Sequence, residues 1–137
     1  MKFQHYMNIA DEIALYSEHP HYKIAAIIVY KGKIISSATN SFSKTHPIQF
    51  RLRNKYNKNI GKPLAYVHAE VKAIDRAMKY GYDLSKCSIF ISRITKSGVK
   101  SISKPCNECE GFIRKMKLKY VVYYNKLGEI IIQIIGK

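Results

Sequence analysis

Apolar side chains recur at helical spacing at the start of the chain: Phe3, Tyr6, Met7, Ile9, Ala10, Ile13, Ala14 and Tyr16 form one stripe, with Asp11 and Glu12 on the other side. The pattern predicts an amphipathic helix over residues 2 to about 17, ended by His19-Pro20 because the residue before a proline is pushed out of helical geometry. Two β-rich runs follow, Ile24 to Tyr30 and Lys33 to Ala38, joined by Lys31-Gly32, a two-residue link of the hairpin kind. The first run is almost continuously apolar, which implies burial on both faces.

From Ser41 to Val67 the periodicity stops, and the stretch reads as a long loop with one short helix; loops of such length in compact domains are usually functional. Helical spacing returns from His68 to about Tyr80, with Val71, Ala73, Ile74, Ala77 and Met78 on the buried side and Gly81 placed to stop the helix. Cys87 to Ile94 reads as a strand and Asn107 to Met116 as a helix. Two last strands, Tyr120 to Tyr124 and Ile130 to Ile135, are joined by a link too short for a parallel crossover, so they pair antiparallel. The order predicts an α/β fold of three layers, α/β/α, around a mixed sheet of about five strands ending in an antiparallel hairpin. At 137 residues and 47% hydrophobic composition, residues 1–137 are expected to form a single domain.

The formal net charge of +15 narrows the partners, because such an excess attracts phosphates on nucleotides or polynucleotides. Lysine dominates over arginine, so biased composition is an alternative source of the charge. The first segment carries acids where a secretory signal needs an apolar run, and no later run spans a bilayer, so an intracellular, cytoplasmic protein without membrane contact is expected. Three cysteines make no paired disulfide framework, and Cys106 and Cys109 have the C-x-x-C spacing of a metal or redox pair.

The candidate chemistry lies at two predicted helix starts, His68-Ala69-Glu70 and Pro105-Cys106-Asn107-Glu108-Cys109. If these starts lie side by side, one imidazole and two thiolates converge, a set that suits zinc and leaves its fourth tetrahedral position open to water, as catalytic sites do. Helix starts favour the thiolate form through their partial positive charge. Glu70 then stands where it can carry protons to and from the reacting groups, and Pro105 suits the first helical turn. This paired H-x-E and P-C-x-x-C signature belongs to zinc deaminases that attack C4 of cytosine or C6 of adenine.

The segments VHAEVKAI and SKPCNECEGFI resemble the two zinc motifs of the cytidine and deoxycytidylate deaminase superfamily. The hairpin AAIIVYKGKIISSATN is similar to that family's first two strands, and NSFSKTHP, TKSG and SKPC look like small deaminases of phages and large DNA viruses. The resemblance implies the cytidine-deaminase-like fold, one Zn2+ held by His68, Cys106 and Cys109, catalysis by Glu70, and an Asn40 that bonds the substrate's sugar. One departure is the short NKLG link where transfer-RNA adenosine deaminases and many deoxycytidylate deaminases place a helix.

Bland readings stand beside these. A structural zinc site would take a fourth ligand from Cys87 or His46, in a noncatalytic nucleic-acid-binding module. Asn40 at a strand end suits a turn. His46 lines a pocket or is an exposed loop histidine. Arg51 and Arg53, near Phe50 and Tyr56, bind phosphates and stack bases as single-strand binders do, or form a solvated basic loop with Lys44, Lys55, Lys58 and Lys62. Ala69 and Pro105 complete the expected substrate contacts. The expected reaction is conversion of cytosine to uracil; the charge tilts the substrate toward single-stranded DNA or RNA, with free cytidine or deoxycytidylate the alternative.

Overall fold

The computed structural model describes residues 2–56 and 66–135. Its elements are helix α1 (Phe3–Ala14), strands β1 (Tyr22–Tyr30) and β2 (Lys33–Thr39), helices α2 (Pro47–Tyr56) and α3 (Ala69–Lys79), a 3-10 turn at Leu84–Lys86, strand β3 (Cys87–Thr95), helix α4 (Asn107–Lys115), and strands β4 (Tyr120–Tyr124) and β5 (Ile130–Ile134). Lys31 and Gly32 both take positive φ, 47° and 77°. That combination makes the tight turn whose twist matches the strands it joins.

The five strands lie in the order β2-β1-β3-β4-β5. β3 and β4 run parallel and the other neighbours antiparallel. A parallel pair needs a long crossover, and α4 lies on it. Strand alternation then sends side chains to two layers. Ile27, Val29, Phe90, Val122 and Tyr124 meet Tyr6, Met7 and Ala10 of α1 on one face. Ala26, Ile28, Ile89, Ile91 and Val121 meet Val71, Ala73, Ile74 and Ala77 of α3 and Cys109, Phe112 and Ile113 of α4 on the other. Each large apolar side chain so buried contributes about 1.5–3 kcal/mol. The three-layer α/β/α arrangement with its mixed five-stranded sheet and terminal hairpin is thus the one the periodicity predicts. Residues Ala25 to Val29 of β1 are all buried, as a strand covered on both faces requires.

The short helix expected in the aperiodic stretch is α2, ten residues entered through Pro47; residues 57–65, with Lys58 and Lys62, lie outside the described residues. Three details depart from the expectation. β1 begins two residues earlier, at Tyr22. α1 ends at Ala14 and not at about residue 17. Asp11, expected on the solvent side of α1, instead turns toward the sheet. Its carboxylate accepts hydrogen bonds from Ser92 Oγ at 2.6 Å and from the Tyr124 hydroxyl at 2.8 Å, with Lys100 Nζ 3.7 Å away. Burial, then the Asp11 contact, lifts the Tyr124 phenol well above its usual range. Among the described residues, no helix is long and apolar enough to cross a membrane.

The Asp11 contacts carry a stability prediction. Asp11→Ala leaves two hydroxyls under the helix without their acceptor and is expected to lower unfolding free energy by about 1–3 kcal/mol. Lys100→Ala removes a half-exposed ion pair and a cation–π contact with the Tyr124 ring, and is expected to change it by about 1 kcal/mol or less. Urea titration of both variants decides this, and a smaller loss in Asp11→Ala than in Lys100→Ala would show that the hydroxyl contacts do not matter.

Candidate active site

Two helices start against the same face of the sheet. His68 precedes α3 in extended geometry (φ −79°, ψ 154°) and Cys106 precedes α4 likewise (φ −68°, ψ 172°). Each residue's carbonyl accepts the first helical bond, from Lys72 N–H at 3.1 Å and Glu110 N–H at 2.8 Å. Three positions on, Cys109 returns to the side of Cys106. His68 Nδ1 lies 3.3 Å from Cys109 Sγ and 3.6 Å from Cys106 Sγ. All three ligand atoms fall within 4.8 Å of one another.

This donor set fits zinc. Tetrahedral bonds of about 2.0–2.3 Å put neighbouring ligand atoms about 3.6–3.8 Å apart, close to the separations found, and one imidazole with two sulfurs is a combination zinc takes. Among the described residues no fourth protein ligand joins the cluster. Cys87 is buried at the start of β3 with Sγ against the Asp83 carbonyl at 3.4 Å, and burial pushes its thiol up to about 11. His46 lies 3.3 Å from Asp75. Neither residue closes the site.

The cluster shares protons. The Cys106 sulfur accepts from the Cys109 thiol, and despite burial this contact and His68 bring Cys106 down to about 4. Cys109, the donor in that bond and buried beside Glu70, is held well above the usual thiol range. Burial works against a charge on His68, yet its bond to Cys106 and the neighbouring Glu70 raise it to about 9. Burial also raises Glu70, against the pull of His68. A cation held here would have to replace those protons, so metal affinity is expected to weaken as pH falls.

A residue without any sequence signal ties the two halves together. Gln49, in α2, is fully buried. Its Nε2 donates to Glu108 Oε1 at 2.8 Å, and its Oε1 accepts the backbone N–H of His68 at 2.9 Å. One amide therefore bridges the first metal motif to Glu108, one of the two residues between the cysteines. Where α2 meets α4, the Tyr56 ring lies over Gly111, and a Cβ there would displace it.

A cavity of about 550 Å³ opens on the cluster, lined among others by His68, Glu70, Cys106 and Glu108. Of the other expected substrate contacts it reaches Asn40, Arg53 and Ala69 but not His46, Arg51 or Pro105. The reasons are geometric. Residues two apart on a helix diverge by about 200°, so Arg51 faces solvent while Arg53 turns to the cavity. His46 instead caps α2, Nδ1 accepting from Ile48 N–H at 3.1 Å. Pro105 is buried one residue ahead of the helix cap rather than in the first turn. Asn40 has both ends of its amide engaged: Oδ1 accepts from Ser17 Oγ at 2.6 Å and Ile24 N–H at 3.1 Å, and Nδ2 donates to the Tyr22 carbonyl at 2.7 Å. One amide hydrogen is left over from these bonds.

The cavity also takes in His19, Tyr22, Tyr66, Arg93 and Lys104, which the sequence did not single out as contacts. His19 Nδ1 accepts the backbone N–H groups of His21 and Tyr22 at 3.2 and 3.0 Å. Partial burial, then the charges of His21 and Arg93, lower its pKa.

The family model describing the cytidine and deoxycytidylate deaminase zinc-binding region matches residues 1–125. No curated protein sequence matches significantly. Among solved structures, the chain is similar to the apo dCMP deaminase of the cyanophage S-TIM5, with 23% identity over 90% of this chain and 82% of that one and a TM-score of 0.63. The same phage enzyme in complex with dCMP and dUMP gives 22%, 90%, 80% and 0.63. A cytidine deaminase from Burkholderia pseudomallei gives 18% identity over 98% of this chain and 93% of that one, with a TM-score of 0.66. At such identities these likenesses establish the fold.

The geometry predicts close to one zinc per chain, lost in His68→Ala and Cys106→Ser. Gln49→Leu keeps the volume but breaks both bridging bonds, and its zinc affinity is expected to fall about 10–100-fold, as when the partners of ligands are removed. Chelator competition measures this, and wild-type affinity in Gln49→Leu would detach the residue from the site.

Proposed function

The chain belongs to the cytidine and deoxycytidylate deaminase family, zinc-dependent hydrolytic deaminases, and we propose that it converts cytosine to uracil in a free nucleoside or nucleotide, with Glu70 as its proton carrier. The observation that carries this reading is the cavity in which Glu70 stands beside the convergent His68, Cys106 and Cys109. Its volume is in the range of pockets that enclose most of a small ligand.

His68, Cys106 and Cys109 would hold the zinc, which when bound supplies the Lewis acidity that makes water a nucleophile near neutral pH. Glu70 takes one proton from the attacking water as its oxygen bonds to C4 and places that proton on ring nitrogen N3. It then moves the second proton from the new hydroxyl to the amine, which departs as ammonia and leaves the uracil carbonyl. Burial supports the shuttle, since it raises the proton affinity of Glu70 above that of a free carboxylate and so makes it a better proton acceptor. Asn40 and Ala69 both line the cavity, and on this reading the remaining amide hydrogen of Asn40 bonds the sugar.

Two observations support a free substrate over a strand. Arg51 turns away from the cavity, so the described part of the basic stretch does not form a continuous track into it. The similar phage structure is named as a complex with dCMP and dUMP. The strand reading keeps one observation of its own. Tyr22, Phe42 and Tyr66 are exposed, Phe42 lies against His19 and Tyr66 at the cavity, and such rings stack bases.

Glu70→Gln is expected to keep its zinc and fold while turnover falls about 10²–10⁴-fold; wild-type turnover would remove Glu70 from the mechanism. For the substrate, uracil formation from deoxycytidine, deoxycytidylate and single-stranded DNA is followed across a salt series. A free substrate predicts poor conversion of strands at every salt concentration. Strand conversion at low salt, falling with a log–log slope of about 0.7 per phosphate contact, would reverse the assignment.

A further inference from the structure

We propose that Arg93 anchors the phosphate of the substrate, making a cytosine nucleotide with a free phosphate monoester the preferred substrate over the nucleoside. This rests on the deaminase reading above and names which of its substrates the site selects.

The placement follows from the strand. Ile89 and Ile91 of β3 point into the core under α3 and α4, and two residues on, alternation puts Arg93 on the same face, where with Ile91 it lines the cavity. β1 supplies the neighbouring wall, with Ile24 paired opposite Arg93. The Arg93 guanidinium carbon lies 4.4 Å from the centroid of the Tyr22 ring. Stacking on an aromatic face fixes the plane of the guanidinium and leaves its N–H edges for hydrogen bonding.

Among the described residues those edges meet no acceptor. Among the described residues, no carboxylate forms an ion pair with Arg93, and its side chain makes no hydrogen bond. A half-buried arginine without a counter-charge is unfavourable unless an anion completes it. The cavity's own acids are engaged elsewhere. Glu108 accepts from Gln49, and Glu70 stands with the metal ligands. Arg53 and Lys104 line the same cavity and add positive potential. A phosphate monoester approaches two negative charges at neutral pH and offers the oxygens that a guanidinium meets in a bidentate way. A diester in a strand carries one charge, so it gains less than a monoester from a guanidinium fork.

The test uses the full-length zinc-loaded protein with Arg93→Gln and Arg93→Lys. We expect the ratio of kcat/KM for deoxycytidylate to that for deoxycytidine to fall about 10–100-fold in Arg93→Gln, the loss of a charged hydrogen-bonded contact. The loss should lie mainly in KM, and Arg93→Lys, which keeps the charge without the planar fork, should fall between. Calorimetric binding of deoxyuridylate and deoxyuridine repeats the comparison without turnover. The wild type should prefer deoxyuridylate and Arg93→Gln should lose most of that preference. If the wild type deaminates neither substrate, the deaminase reading fails while the binding comparison still decides the role of Arg93. An unchanged ratio in both measurements overturns the proposal, as does equal loss on nucleoside and nucleotide. So does a wild type that converts single strands better than deoxycytidylate.

Discussion

His68 and Cys106 are 38 positions apart in the chain, yet their donor atoms must come within a few ångströms if one ion is to bridge them. A side chain reaches only a short distance, so the burden falls on the backbone: two helices have to begin next to one another at the same end of the sheet. The apolar layer of Ala26, Ile28, Ile89 and Ile91 presses α3 and α4 against one face and sets their depth. The β3–α4–β4 crossover sets the direction of α4. What packing leaves undetermined is the sliding of one helix start past the other. Directional bonds fix that, and Gln49 supplies two of them with a single rigid amide.

The same division of labour explains what could be read from the sequence. Periodicity reports burial, so α1, α3, the hairpin and the C-terminal strands were legible, and the layers followed from them. The H-x-E and P-C-x-x-C spacings report a local requirement of metal chemistry, so the convergence of His68, Cys106 and Cys109 was legible as well. Asp11 was misplaced because a helical stripe assigns faces by apolarity, and a carboxylate turned inward toward Ser92 and Tyr124 reverses that rule. Gln49, Arg93 and His19 were passed over because their partners come from other elements: a buried amide or an aromatic stack has no period and no motif. Arg51 and Arg53 looked alike in a presumed loop, and only the helix that carries them separates their directions.

Asn40 shows why a residue's type underdetermines its role. Its oxygen is saturated by Ser17 and Ile24 and its nitrogen holds Tyr22, so it joins the end of α1 to the two strands that form the cavity wall. Ser41 does similar work, its hydroxyl accepting the N–H of Lys44 at 2.8 Å. An amide fixed by three bonds serves the scaffold first, and its last hydrogen keeps one direction beside the cavity it lines.

Net charge is a weak guide to substrate for a related reason. A formal +15 describes the whole surface, but screening at physiological salt limits exposed charges to about 8 Å. Only groups facing the cavity act strongly on a molecule within it. Of the lysines and arginines among the described residues, the cavity takes in Arg53, Arg93 and Lys104. Two of them are arginines, though arginine is the rarer of the two cations in this chain, and a fixed fork distinguishes a phosphate from diffuse negative charge better than a mobile ammonium does. The excess of lysine therefore bears on how readily anions approach the molecule. What the site selects is decided by the direction and company of a few side chains, which composition does not record.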